Sequence, residues 1–214
     1  MSLLHETQGP ARLRTRRPVG FTLIELLVVV GITATLLAVG ASLFRRTSAE
    51  AVKTGTEKFA AMVEQARTTA ITRRKPVALV LVSPGEAGMG DEVCRLGLFE
   101  LDDWVSGEPV TGTQIQRWQG LPGGVGFQAG EFDSLENVVD SERTSLTWRN
   151  GDLQAELPMV VFSARGGMLS PKGSKPMVVI LASGVHQHGE FIHREGRTVI
   201  RIGRVVARPW ILSQ

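Results

Sequence analysis

The chain has 214 residues, 43% of them apolar, a formal charge of +3 and one cysteine, Cys94. This allows one domain of ordinary size with appendages, and it excludes a fold stapled by intrachain disulfides or a zinc site written in Cys/His spacing. Arg12, Arg14, Arg16 and Arg17 against Glu6 alone account for the whole net charge, so everything after Gly20 is neutral. Reading the high pI as a sign of nucleic-acid binding therefore fails if the first twenty residues are removed.

After the basic leader, residues 1–20, comes an apolar run from Phe21 to Phe44 that carries a single charge, Glu25. As a helix it spans roughly 36 Å at 1.5 Å per residue, against about 30 Å of bilayer hydrocarbon. The leader arginines place the N-terminus on the cytoplasmic side and the bulk of the chain beyond the membrane. A cleavable secretory signal has a shorter apolar region, although Ala38-Val39-Gly40-Ala41 has the small residues of such a site. A plain anchor explains the length but not Glu25. A carboxylate inside a spanning helix costs on the order of 2–3 kcal/mol and marks a function with a partner.

The stretch GFTLIELLVVVGITA, from Gly20 to Ala34, closely resembles the prepilin signal of type IV pilins and type II secretion pseudopilins. The resemblance implies that a prepilin peptidase cuts between Gly20 and Phe21 and methylates the new amino group of Phe21. Glu25 then becomes the fifth mature residue, and its carboxylate meets the Phe21 amine of a neighbouring subunit. Such a pair is favoured in a low-dielectric layer because each charge relieves the other's desolvation. The partners implied are the peptidase, other pseudopilins or pilins through the N-terminal helix, and an inner-membrane assembly platform.

The helical pattern continues over residues 45–75. Val52, Phe59, Val63, Ala66 and Ala70 share one face, while Lys53, Glu57, Lys58, Glu64 and Arg67 fall mostly elsewhere. Glu64 and Arg67 form a supporting pair. Gly55 is a weak point of about 1 kcal/mol that allows a bend, and Pro76 ends the helix. One helix over about residues 21–73 is expected, oily all round in its first half and striped in its second.

The remainder, residues 76–214, reads as β-structure broken by turns. Strands are expected at Pro76–Val82, Cys94–Leu101, Gln114–Trp118, just after the turn-rich QGLPGGVGF, and at Ser145–Arg149, Pro158–Phe162, Pro176–Ala182 and Thr198–Arg208. The polar segment GEFDSLENVVDSERTS reads as a short helix or a mobile insertion. The helix-to-strand join AAMVEQARTTAITRRKPVALVLV resembles general secretion pathway protein H and related minor pilins. The C-terminal strands resemble the same family more loosely. The resemblance implies an α+β, pilin-like lollipop with two antiparallel sheets against the helix.

Other constellations favour bland readings. His186 and His188 would share a strand face with His193 nearby, a possible transition-metal set, but Gly184 and Gly189 suggest a solvated hairpin tip. Asp91, Glu92, Asp102 and Asp103 lack the glycine-centred spacing of a calcium loop. GLPGGVG lacks the Lys-Ser/Thr of a phosphate loop and reads as a turn. Trp104, Trp118, Trp148 and Trp210 read as core or sheet surface. No catalytic residue, cofactor or metal is expected. The expected function is that of a minor pseudopilin in a short filament for export across the envelope: single-pass in the inner membrane, with its domain in the periplasm. The alternative is a pilin-like tip module for DNA or a surface ligand, with nucleic acid ranked second because the mature chain is neutral.

Overall fold

The computed structural model describes residues 22–88, 93–148, 154–187 and 190–213. The chain divides into two compact units, Met1–Ser42 and Leu43–Gln214. One α-helix, α1 (Leu23–Arg73), begins in the first unit and ends in the second.

Within the second unit, the helix is a spine. Val52, Phe59, Val63, Ala66 and Ala70, the five stripe positions, are all buried, joined by Met62. Gly55 is not a bend. The helix runs unbroken through it, and a Cβ there would stand 3.2 Å from Val125 Cγ1 and 3.5 Å from Pro122 Cδ. The glycine permits close approach of the helix to the loop that leads into a strand. The helix stops where Arg74 takes a left-handed conformation (φ 56°), two residues before Pro76. Arg73 and Lys75 reach Glu100 at 2.6 and 2.8 Å, tying the helix end to the sheet.

The strands are β1 (Val77–Val82), β2 (Arg95–Leu101), β3 (Val110–Gln114), β4 (Gln119–Gly120), β5 (Val125–Gln128), β6 (Thr144–Trp148), β7 (Gln154–Leu157), β8 (Met159–Phe162), β9 (Met168–Ser170), β10 (Met177–Gln187), β11 (Glu190–Ile202) and β12 (Pro209–Ser213). One sheet has the order β7-β6-β3-β2-β1-β8-β9, with β4 also paired to β2; the other has the order β12-β11-β10-β5. The result is an α+β fold consistent with a pilin-like domain. It departs from two purely antiparallel sheets, because β3 pairs with β6 in parallel.

β1 is buried along its whole length, which explains its continuous apolar run. Val77, Leu79 and Leu81 face the helix stripe together with Val179, Leu181 and Ile200 of the second sheet. Ala78, Val80 and Val82 face the other way, into a cluster with Phe99, Leu146, Leu157 and Met159. The first sheet achieves this by folding over. Pro158 alone joins β7 to β8, and its carbonyl accepts the Leu81 amide at 3.0 Å.

Two expectations need correction, and a third is narrowed. Gln114–Trp118 is not a strand: β3 ends at Gln114. Trp118 instead lays its ring where a Cβ on Gly97 would stand 2.5 Å away, and it meets Phe99 at a tilt and Trp148 edge to face. The last strand does not run from Thr198 to Arg208: β11 ends at Ile202, and the chain turns back into β12. For GEFDSLENVVDSERTS the short-helix reading holds, as a single 3-10 turn in a segment that covers the second sheet. Asn137 is buried, donates to the carbonyls of Gln128 and Gly130, and caps a 3-10 turn at Val138–Asp140. Phe132 and Leu135 close over Val178, Ile180 and Val199.

Candidate functional site

In the first unit, the described side chains present apolar surface that no other described residue covers. From Leu23 to Leu37 the large apolar side chains are 51–84% exposed, on every side of the helix. A helix apolar all round requires an apolar environment. Its hydroxyls are already satisfied internally. Thr33 donates to the Val29 carbonyl at 2.8 Å, and Thr35 donates to the Ile32 carbonyl at 2.8 Å. Among the described residues no helix is long and apolar enough to cross a membrane. The stretch whose side chains are described, Leu23–Leu37, gives roughly 22 Å of helix.

Glu25 sits in the first turn and has a local partner that the sequence reading missed. The Thr22 amide and hydroxyl donate to Glu25 Oε2 at 3.0 and 2.8 Å, and the Glu25 amide donates back to Thr22 Oγ1 at 3.3 Å. This is a reciprocal capping box, which satisfies two amides that a helix start leaves orphaned. The signal was legible as Thr-x-x-Glu immediately before an apolar run. Gly20 and Phe21, the expected processing positions, lie outside the described residues, as do the leader, Asp91, Glu92 and His188.

The two described histidines of the cluster, His186 and His193, lie in different surroundings. His193 is exposed and in register with Gly184. His186 is half-buried, its ring 5.0 Å from that of Phe191, and its Nε2 lies 3.5 Å from Cys94 Sγ. Phe191 in turn lies flat over Gly126 and Gly184, where added Cβ atoms would stand 2.3 and 2.6 Å from its ring. Burial lowers the His186 pKa and raises that of the Cys94 thiol to about 11, so both groups are neutral at pH 7. Nothing in the sequence joined Cys94 to His186. Among the described residues no group of three or more His, Cys, Asp or Glu side chains is placed to hold a metal.

Two further polar features lie elsewhere in the second unit. Arg204 gathers the loop between β9 and β10 by donating to the carbonyls of Pro171, Lys172 and Lys175. Glu131, Glu136, Asp140 and Glu142 line an open recess of about 410 Å³ beside Lys172. Asp102 and Asp103 are exposed, in agreement with a surface reading.

No curated protein and no solved structure matches the chain. Residues 55–200 do match a family described as type II transport protein GspH. That span runs from the close-approach glycine of the spine helix through nearly all of β11, and so takes in most of both sheets. The match covers more than half of the chain, which therefore belongs to the GspH family of type II secretion pseudopilins.

Proposed function

We propose that the chain is a minor pseudopilin that enters a short filament through its N-terminal helix. A prepilin peptidase cuts between Gly20 and Phe21 and methylates Phe21. The apolar helix lies in the inner membrane with its N-terminus cytoplasmic until the assembly platform passes it to neighbouring pseudopilins, and the β-rich unit faces the periplasm as the head of the lollipop. The protein acts as a structural part, without catalysis. The observation that carries this reading is the apolar surface of Leu23–Leu37, exposed on every side of the helix and carrying Glu25 as its single charge. Lipid and a bundle of like helices are the two environments that suit it.

Mass spectrometry of the membrane-extracted protein tests processing: the expected N-terminus is methylated Phe21. An N-terminus at Ala41 or Ser42 would mean an ordinary secretory signal. Substitutions at Glu25 then separate its two possible duties. Glu25→Gln can still accept from Thr22 and keeps the capping box, whereas Glu25→Ala loses both cap and charge. Both variants should be processed and inserted normally, and both should fail to cross-link to partner pseudopilins through stem cysteines. If Glu25→Gln assembles as well as the parent, the charge-pairing role is wrong and the carboxylate serves only as a cap.

One observation favours the binding-module reading. His193, Arg197 and Arg201 are exposed and share one face of β11, their partners on β10 being Gly184, Ala182 and Val178. Half-exposed Trp210 lies opposite Arg201. A basic row beside an aromatic ring is suited to a polyanion. Salt-dependent binding of a single-stranded oligonucleotide, lost in Arg201→Glu, would support it; no binding at low salt would dismiss it.

A further inference from the structure

The second sheet ends on β12, which pairs with β11 and with no other described strand. An unpaired edge presents a row of free amides and carbonyls, and proteins commonly blunt it with charged side chains. β12, of sequence PWILS, carries none. The Gly203 amide donates to the Arg208 carbonyl at 3.2 Å, and antiparallel bonds alternate along a strand pair. Trp210 and Leu212, opposite Arg201 and Val199, therefore bond to β11, while the Ile211 amide and carbonyl and the Pro209 carbonyl face the open edge. Pro209, which has no amide to give, stands at the first position of the strand, where proline is tolerated.

The side chains beside this edge are apolar and exposed. Trp210 is 52% and Ile211 49% exposed, on opposite faces of the strand, and Val205, in the connection between β11 and β12, is 86% exposed. Trp210 is nonetheless fixed: its ring lies against Gly203, where a Cβ would stand 2.9 Å away. A held, exposed indole is the kind of anchor that interfaces use. Charge then selects the occupant. From Glu190 onward the chain has Arg194, Arg197, Arg201, Arg204 and Arg208 against Glu190 and Glu195, whereas everything after Gly20 sums to zero, so this hairpin is basic and residues 21–189 carry the opposite excess. Arg201 is exposed directly opposite Trp210. We propose that β12 accepts an extended acidic segment of another protein as an added strand, its backbone bonded to Ile211, its carboxylates on the side of Arg201 and Trp210, and its apolar residues on the side of Ile211.

In strand addition the main-chain bonds supply affinity and the alternating side chains supply specificity. A second copy of this chain fits the edge less well, because edge-to-edge pairing would bring two basic hairpins together. A single-stranded oligonucleotide would use Arg201 and Trp210 but has no peptide backbone to pair with Ile211. β12 belongs to the second unit, so the added strand does not depend on how the apolar half of α1 assembles.

The probe is a fluorescent peptide alternating valine and glutamate, titrated against the detergent-solubilised full chain and followed by anisotropy. It should bind at low salt, weaken as salt rises, and bind at least tenfold tighter than the same peptide with lysine in place of glutamate. The glutamate peptide N-methylated at every amide keeps its charge, loses its backbone donors and should not bind. Ile211→Pro removes the edge amide without taking a bond from β11, and should weaken binding of the unmodified peptide at least tenfold. Circular dichroism checks that this variant is folded, and if it is not, the N-methylated peptide decides on the parent chain. No binding of the valine–glutamate peptide at about 1 mM overturns the proposal. So does an N-methylated peptide that binds as tightly as the unmodified one, which would leave a surface for polyanions and no added strand.

Discussion

The two described stretches of α1 obey different rules. From Leu23 to Leu37 the helix carries large apolar side chains on every side and all are exposed. From Val52 to Ala70 it carries one apolar stripe and all of it is buried. Both belong to one α-helix. What differs is where the free energy of the apolar groups is realised: in the second stretch within the chain's own core, in the first only against something outside it. The sharpest test of this difference is a matched pair of truncations. Phe59 is fully buried between the sheets, so Phe59→Ala should cost about 3–5 kcal/mol. Leu27 is 65% exposed, so Leu27→Ala should leave the second unit's stability within about 0.5 kcal/mol. Denaturant unfolding followed by tryptophan fluorescence reads both, since Trp104, Trp118, Trp148 and Trp210 all lie in that unit. Equal losses would mean that the two stretches are not energetically separate.

How much of this was legible depends on where the signal lay. The buried stripe was readable because helical period is local, and β1 and β8 were readable because burial on both faces leaves an unbroken apolar run. β7 (QAEL) and β9 (MLS) are too short to carry a pattern, and β12 at its sheet edge is half solvated, with Trp210 and Ile211 on opposite faces and both exposed. Gln114–Trp118 alternated convincingly, but Trp118 is held by the bare backbone of Gly97, a contact from another strand that no local period records. The Thr22–Glu25 cap is written in the sequence as Thr-x-x-Glu, but a charge in an apolar run is equally a signal for a partner outside the chain. Cys94 and His186 are 92 residues apart and were beyond any motif.

Glycine sharpens the same contrast at smaller scale. Gly31 has no heavy atom within 4 Å of where its Cβ would stand, whereas Gly55 has Val125 at 3.2 Å. Gly31→Leu should be accommodated and should strengthen the helix by roughly 0.5–1 kcal/mol through propensity. Gly55→Leu gains the same propensity but must displace Val125 and Pro122. A net loss of about 1–3 kcal/mol is expected, read from denaturant midpoints at unchanged slope. A stabilised Gly55→Leu would show that the approach of helix and loop is slack.

The two carboxylates at the helix's ends differ in kind. Glu25 bonds within its own turn, while Glu100 receives Arg73 and Lys75 from another element. Those donated hydrogen bonds, Arg73 first, hold the Glu100 carboxyl below its ordinary range. As pH falls, the unfolded chain takes up this proton before the folded one does. The stabilisation is thus complete above about pH 5 and fades as pH drops through the lowered folded value. Both cations are half exposed, so the effect should be no more than about 1 kcal/mol and weaker in salt. Glu100→Gln should flatten the acid limb of stability against pH below about 5. An unchanged limb would mean that the ion pairs contribute nothing in solution.

The smallest effect lies at the helix's exit. Arg74 is exposed and holds φ at 56°, the left-handed region that costs an L-residue about 1 kcal/mol and costs glycine almost nothing. Helix C-termini commonly place glycine at this position, and here the two residues that follow, Lys75 and Pro76, already prevent continuation. Arg74→Gly removes the strain but gives the unfolded chain more freedom, which takes back roughly half of the gain. A net stabilisation of about 0.5 kcal/mol should appear as a small rise in the denaturant midpoint of the second unit. Arg74→Val should move the other way by at least as much, because a β-branched residue tolerates the left-handed region worst. If glycine lowers the midpoint, the arginine side chain is contributing more than its backbone costs. The natural place to look for that contribution is the neighbouring cluster where Arg73, Lys75 and Glu100 meet.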